Sequence, residues 1–314
     1  MEASTSAWCG LPPAATPLPC GVLWFLHIPK TGGTTVRHYL QRGSHKSGWK
    51  FVGLLRHRLG YLNDTTHPAG WANATAVRAG GDAAEDAAAY VAAALNSRTW
   101  AHIRREVDGS TKPRLVVEQH TGSLGLGDVL LHTPLAELAC ALKRKGCRLM
   151  LATALREPLA HAQSLAFYHG ISRHRFDTFG ASTANAQSRY VMGSALGRQS
   201  GDDETLRRET LSTLDYFEAV GCTEAANCGG IAALLRTLHA TLGWDAAAAE
   251  SVAAERDGSW RNPTNSSAKY EVDAAMLEGA RRHTRVDDAV YRSFVRTGGA
   301  PCPPRPRARL RCGG

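Results

Sequence analysis

A lysine stands two residues ahead of a glycine pair in FLHIPKTGGTTVRHYL, residues 25–40, and two threonines follow. Glycines at the start of a helix let successive backbone N–H groups close around an anion, and the helix dipole adds favourable potential. Gly32 and Gly33 supply such a turn, Thr34 and Thr35 offer hydroxyls at the first helical turn, and Lys30 can reach over a bound group as a point charge. A nucleotide loop of the Walker A type has its lysine after the glycines, so this order departs from it and argues against an ATP-dependent kinase. The bland alternative is a tight turn that binds nothing.

A second cationic position lies in LREPLAHAQSLAFYH, residues 155–169. Arg156 is expected at a strand end. Glu157-Pro158 then turns the chain into a helix, with proline well placed at its first position. On that helix Ser164 shares a face with His161 and Tyr168 by the three-and-four spacing. An arginine and a hydroxyl on adjoining elements can grip one phosphate from two sides. The structural alternative makes Arg156 a salt-bridge partner, Ser164 a surface residue and His161 a half-buried helix histidine.

Transfer chemistry also needs a proton acceptor, and histidine titrates near working pH. Of the 13 histidines, His120 ends the apolar run RLVVEQH, at the rim where both anion sites are expected. His27 is expected to pack beneath the ligand, and His132 and His169 are reserves.

The elements that must position these residues read as strands at 21–28, 114–120, 147–155 and 216–224. Helical patterns cover 82–96, 133–145, 158–169, 204–214 and 229–242. Strands alternating with helices imply an α/β fold with a parallel sheet and a ligand at the carboxyl ends of its strands. Residues 43–110, with Trp49, Trp71 and Trp100 scattered among glycine and alanine, read as an insertion after the first strand–helix unit. The tryptophans suit either core packing or stacking on sugar rings.

The net charge of +9 includes four arginines in the acid-free tail PCPPRPRARLRCGG, which leaves +5 for the rest and favours anionic ligands. No apolar run is long enough to span a membrane. The N-terminus lacks a signal-peptide pattern, so either the protein is cytosolic or a targeting segment is missing. The eight cysteines fall into sequence neighbours, Cys9/Cys20, Cys140/Cys147, Cys222/Cys228 and Cys302/Cys312. Without a CxxC motif they suggest local disulfides in an oxidising compartment rather than zinc. Acceptor patterns for N-glycosylation at Asn63, Asn73 and Asn265 agree with a secretory lumen.

HIPKTGGTT followed by LREPxxxxxSLxxYH resembles the paired nucleotide motifs of sulfotransferases that use 3′-phosphoadenosine 5′-phosphosulfate (PAPS). The likeness is to the Golgi carbohydrate branch, which includes the heparan sulfate 2-O- and 6-O-sulfotransferases, and the first loop is nearly that of the 6-O type. LDYFEAVGCTE and, loosely, residues 265–294 resemble the same branch, so the likeness runs from about Gly21 to Thr297. It implies a P-loop-like parallel sheet flanked by helices (the sulfotransferase fold) over 21–297, after an extension at 1–20; the basic composition of 298–314 reads as a disordered tail.

By this resemblance Lys30, Thr31, Gly32, Gly33, Thr34 and Thr35 hold the 5′-phosphosulfate, while Arg156 and Ser164 hold the 3′-phosphate. His120 matches a base that follows a glycine in the family, here replaced by Gln119. The family often has arginine at the position of His161, which implies a weaker or pH-sensitive 3′-phosphate site here. Asn265, Ser266, Ser267 and Lys269 are expected to form a flap over the nucleotide. The implied activity is transfer of a sulfuryl group to a hydroxyl of a polysaccharide or glycoprotein glycan, in the Golgi lumen, by a chain whose membrane anchor is not present. No metal and no nucleic-acid partner is expected. The rival readings are a nucleotide-dependent kinase of small molecules and a non-catalytic polyanion-binding protein.

Overall fold

The computed structural model describes residues 7–12, 17–55, 98–120, 134–192, 202–224, 229–244 and 270–296, with 308 and 310. Five strands form one sheet: β2 (Gly21–Leu26), β3 (Lys50–Leu55), β4 (Arg114–Gln119), β5 (Arg148–Leu155) and β6 (Ala219–Cys222). Their order is β3-β4-β2-β5-β6, and every pairing is parallel. A separate antiparallel pair joins β1 (Ala7–Trp8) to β7 (Val295–Arg296).

β2 is apolar throughout because both of its faces are covered, as parallel sheets require. Val22, Trp24 and Leu26 point to one side and Leu23 and Phe25 to the other. On the first side they meet α2 (Arg98–Gly109), α3 (Pro134–Arg144), α6 (Ala186–Met192), α7 (Asp203–Leu214) and α10 (Arg285–Arg292). On the second side lie α1 (Gly33–Ser47) and α8 (Gly230–Leu242). A smaller cluster joins α4 (Pro158–Tyr168), α5 (Phe176–Ser182) and α9 (Ala274–His283) through Ala166, Phe176 and Ala280.

From β2 the chain goes to the sheet edge at β3 and returns to β4 beside β2. It then crosses to β5 and β6 on the other side. The carboxyl ends of β2 and β5 therefore flank the point where connections diverge, the usual ligand crevice of an open α/β sheet. Lys30 follows β2 and Arg156 follows β5, so topology brings the two cations to one rim.

Several expectations change. Residues 43–55 and 98–109, read as part of an insertion, complete α1 and supply β3 and α2 to the core. Trp49 is buried with the α1–α8 side, and Trp100 packs edge-on against Trp24 at 6.1 Å. Both are core residues rather than sugar platforms. Trp71, His132, the helix expected at 82–96, the three glycosylation patterns and the flap at 265–269 lie outside the described residues. Cys20 pairs with Cys147, not with Cys9 or Cys140. The register Gly21↔Arg148 sets the residues just before β2 and β5 side by side, which spacing along the chain cannot reveal. Cys9, Cys140 and Cys222 are disulfide-bonded as well. In the C-terminal stretch, the Ala308 N–H donates to the Asp215 carbonyl at 3.2 Å and Leu310 packs on the core, so these two residues are docked. No helix among the described residues is long and apolar enough to cross a membrane.

Candidate functional site

The loop from His27 to Gly32 leaves β2 and enters α1 without a side-chain cap or an acidic residue in the first helical turn. Gly32 adopts φ 78°, and a Cβ there would stand 2.7 Å from Ile231 Cγ1, so the position demands glycine twice over. At Gly33 a Cβ would drive into the His27 ring. The turn thus packs its glycine backbone directly against the Ile231 and His27 side chains. The first N–H groups of a helix have no partner within it. One expected donor is lost, because the Thr35 N–H is taken by the Gly32 carbonyl at 3.0 Å. Thr31, also expected among the loop residues at the ligand, is buried, and its hydroxyl donates to the Ile28 carbonyl at 2.9 Å, so its side chain shapes the loop.

Lys30 itself is left-handed, with φ 63°, a conformation costing roughly 1 kcal/mol for a side chain of this kind. A hydrogen bond from Arg156 Nη1 to the Lys30 carbonyl, at 3.1 Å, offsets that cost. The two cations are therefore neighbours. Both are half-buried, and burial lowers the pKa of each, with the Arg156 charge adding to the effect on Lys30. Among the described residues neither forms an ion pair with a carboxylate. Glu157 and Glu224 are near enough to raise the Arg156 pKa, but both are engaged elsewhere. Glu157 caps α4 through the N–H groups of Leu159 and Ala160. Glu224 accepts from the Glu157 N–H, the Thr223 hydroxyl and the Tyr291 hydroxyl. Because Glu157 occupies the α4 N-terminus, an anion at Arg156 has to be held by side chains.

Helix α4 lies along the loop by one stripe. His161 is buried, and its Nε2–H donates to the Pro29 carbonyl at 2.9 Å. Two turns beyond that contact, Lys30 Nζ sits 4.5 Å over the centre of the Tyr168 ring. Ser164 lies between these two contacts, on the same stripe by its spacing, and is half-exposed. The expectation for His161 changes. It is buried rather than half-buried, and burial lowers its pKa to about 4, so it braces the loop as a neutral group and does not titrate near pH 7. His169 is turned toward Tyr168 and Phe179, with ring centres 5.2 and 5.7 Å away.

At the end of β4, the register Leu26↔Gln119 places His27 and His120 side by side. Their rings stack at 4.1 Å with planes 22° apart. His120 Nδ1–H donates to the His27 carbonyl at 2.9 Å, which fixes the tautomer and leaves the Nε2 lone pair as the acceptor. Burial, then the neighbouring His27, lowers the His120 pKa to about 4, so Nε2 is unprotonated at neutral pH. Beneath it, His27 Nδ1–H donates to buried Glu118 at 2.5 Å, and Arg37 approaches the other carboxylate oxygen at 3.4 Å. Burial, with Arg37 adding, lowers the His27 pKa to about 3 and keeps the ring a neutral support. Gln119 accepts from Trp24 Nε1 at 2.8 Å and belongs to the core.

Residues that sequence reasoning missed hold Arg156 in place. The Gln187 side chain accepts from the Arg156 N–H at 2.8 Å and donates to its carbonyl at 2.9 Å. Asp287 caps the start of α6 by accepting from the N–H groups of Gln187 and Ser188, at 3.0 and 2.8 Å. Asn185 returns the favour to α10, accepting from the Val286 N–H at 3.0 Å. These partners lie about a hundred positions apart in sequence, so no local pattern announces them.

The chain was compared with protein-family models, with curated proteins and with solved structures, and none matches it.

Proposed function

We propose that this chain is a PAPS-dependent carbohydrate O-sulfotransferase, of the sulfotransferase fold and related to the Golgi glycan branch. One observation carries the reading: Lys30 and Arg156, half-buried and in no ion pair with a carboxylate among the described residues, adjoin an uncapped helix start at the sheet's crevice. Two like charges held together at a water-poor rim call for an anionic ligand. A donor with phosphates at both ends of one nucleoside suits two cations on adjoining loops.

In the reaction, an acceptor hydroxyl oxygen forms a bond to sulfur as the bond from sulfur to the 5′-phosphate oxygen breaks. The electron pair of the broken bond stays on that phosphate oxygen, and the hydroxyl proton goes to His120 Nε2. Lys30 and the N–H groups of Gly32, Gly33 and Thr34 stabilise the departing charge, as donors do in an oxyanion hole. Arg156 and Ser164 hold the 3′-phosphate. The low pKa of His120 leaves its base form fully available, and negative charge bound beside it stabilises the imidazolium as it forms. A glycan acceptor and the secretory lumen are part of this proposal on the strength of the sequence resemblance.

The experiment is incubation with radiolabelled PAPS and a glycan panel, for wild type and His120→Ala. Wild type should label a glycan, and His120→Ala should lose about 10²–10⁴-fold in turnover while binding 3′-phosphoadenosine 5′-phosphate unchanged. Undiminished turnover would remove His120 from the role, and no labelling of any acceptor would count against the activity.

A further inference from the structure

Tyr168 is the one large hydrophobic side chain exposed among the described residues, at 56%. Exposure of a lone aromatic at a helix end is unremarkable by itself. This ring, however, has the Lys30 ammonium 4.5 Å from its centre, within range of a cation–π contact. The ring is fixed at the end of α4, whose earlier turn is tied to the neighbouring loop residue through His161 and Pro29. Helix and loop therefore keep Lys30 and Tyr168 adjacent.

We propose that Tyr168 is a positioning residue for Lys30. Its ring holds the ammonium over the anion-binding loop from one side and leaves the opposite N–H donors for the 5′ end of the donor. This inference rests on the functional reading above. Lys30 needs such a contact. Arg156 is its neighbour, no carboxylate pairs with it among the described residues, and burial and Arg156 together disfavour its charged form. The ring quadrupole supplies attraction without supplying a competing negative charge, so it does not repel an incoming phosphate as a carboxylate would. It also spares the ligand part of the cost of ordering a long side chain.

The test is calorimetric titration with 3′-phosphoadenosine 5′-phosphate of wild type, Tyr168→Phe, Tyr168→Leu, Lys30→Met and the Lys30→Met/Tyr168→Leu double variant. Cation–π contacts at exposed sites correspond to about a two- to fivefold effect. Tyr168→Leu should weaken binding by that factor, and Tyr168→Phe, which keeps the ring, should stay within about twofold of wild type. On the Lys30→Met background the leucine substitution should do nothing further. Equal weakening with and without the lysine, or no weakening at all, overturns the inference. A ligand-free readout keeps it separate from the functional reading: the Lys30 ammonium, followed by NMR, should lose its proton at lower pH in Tyr168→Leu than in wild type. Identical titration of Lys30 in both proteins rejects the positioning role. Failure of wild type to bind the nucleotide, with the Lys30 shift present, rejects the sulfotransferase reading alone.

Discussion

Replacing His161 with glutamine should make the protein less sensitive to acid, and the structure gives the size of the effect. His161 is 3% exposed, and burial lowers its pKa from 6.5 to about 4. In the unfolded chain the imidazole titrates at its ordinary value. Between pH 7 and pH 5 the unfolded state takes up most of a proton at this position and the native state almost none. Acid therefore favours unfolding, and His161 alone costs the native state about 2 kcal/mol over that interval. The stability it contributes is present above about pH 6.5 and is lost as pH falls toward 4. A domain is commonly stable by about 5–15 kcal/mol, so the loss is large enough to read from urea unfolding at the two pH values. Glutamine can donate an amide N–H to the Pro29 carbonyl and cannot titrate, so His161→Gln keeps the brace and drops the pH term. His27 and His120 are common to both proteins and cancel in the comparison. The variant should lose about 2 kcal/mol less than wild type between pH 7 and pH 5. An identical loss in both would refute the assignment of His161 as a buried neutral brace.

Gln187→Leu removes both side-chain bonds to the Arg156 backbone and leaves buried polar groups unmet, which should cost about 2–3 kcal/mol in denaturant unfolding. Because Arg156 loses its anchor, affinity for 3′-phosphoadenosine 5′-phosphate should fall as well, and full affinity in a folded variant would break the link from Gln187 to the site. Cys20→Ser should cost about 5 kcal/mol by the chain-entropy account, since the bridge closes a separation of 127 residues. An unchanged unfolding midpoint would mean that Cys20 and Cys147 are not bridged in solution.

Much of the sheet was legible because β2, β4 and β5 are apolar runs bounded by turn residues, and the helices at 134–144 and 230–242 carry an apolar stripe while 158–168 is announced by its Glu-Pro start. β3 was not legible. KFVGLL is short, interrupted by Gly53 and preceded by a polar helix end, so it resembles the glycine-rich stretch after it. The glycine loop and Arg156 could be read as anion-binding groups because their chemistry is local. Their adjacency follows from strand order, which no short motif encodes. Thr31, Thr35 and His161 carried ligand-like chemistry in the sequence, yet the fold commits the Thr31 hydroxyl, the Thr35 N–H and the His161 imidazole to carbonyls of the loop. The Gln187, Asp287 and Asn185 support was invisible for a related reason. Its members are ordinary polar residues until tertiary packing brings distant helix ends together.

The most direct measurement is calorimetric titration of 3′-phosphoadenosine 5′-phosphate and, separately, ATP into wild type, Lys30→Ala and Arg156→Ala. Wild type should bind the doubly phosphorylated adenosine in preference to ATP, and each alanine variant should lose about tenfold or more in affinity, as expected when a charged hydrogen-bond partner is removed. Preference for ATP, or binding of 3′-phosphoadenosine 5′-phosphate that survives both substitutions, would contradict the proposed function.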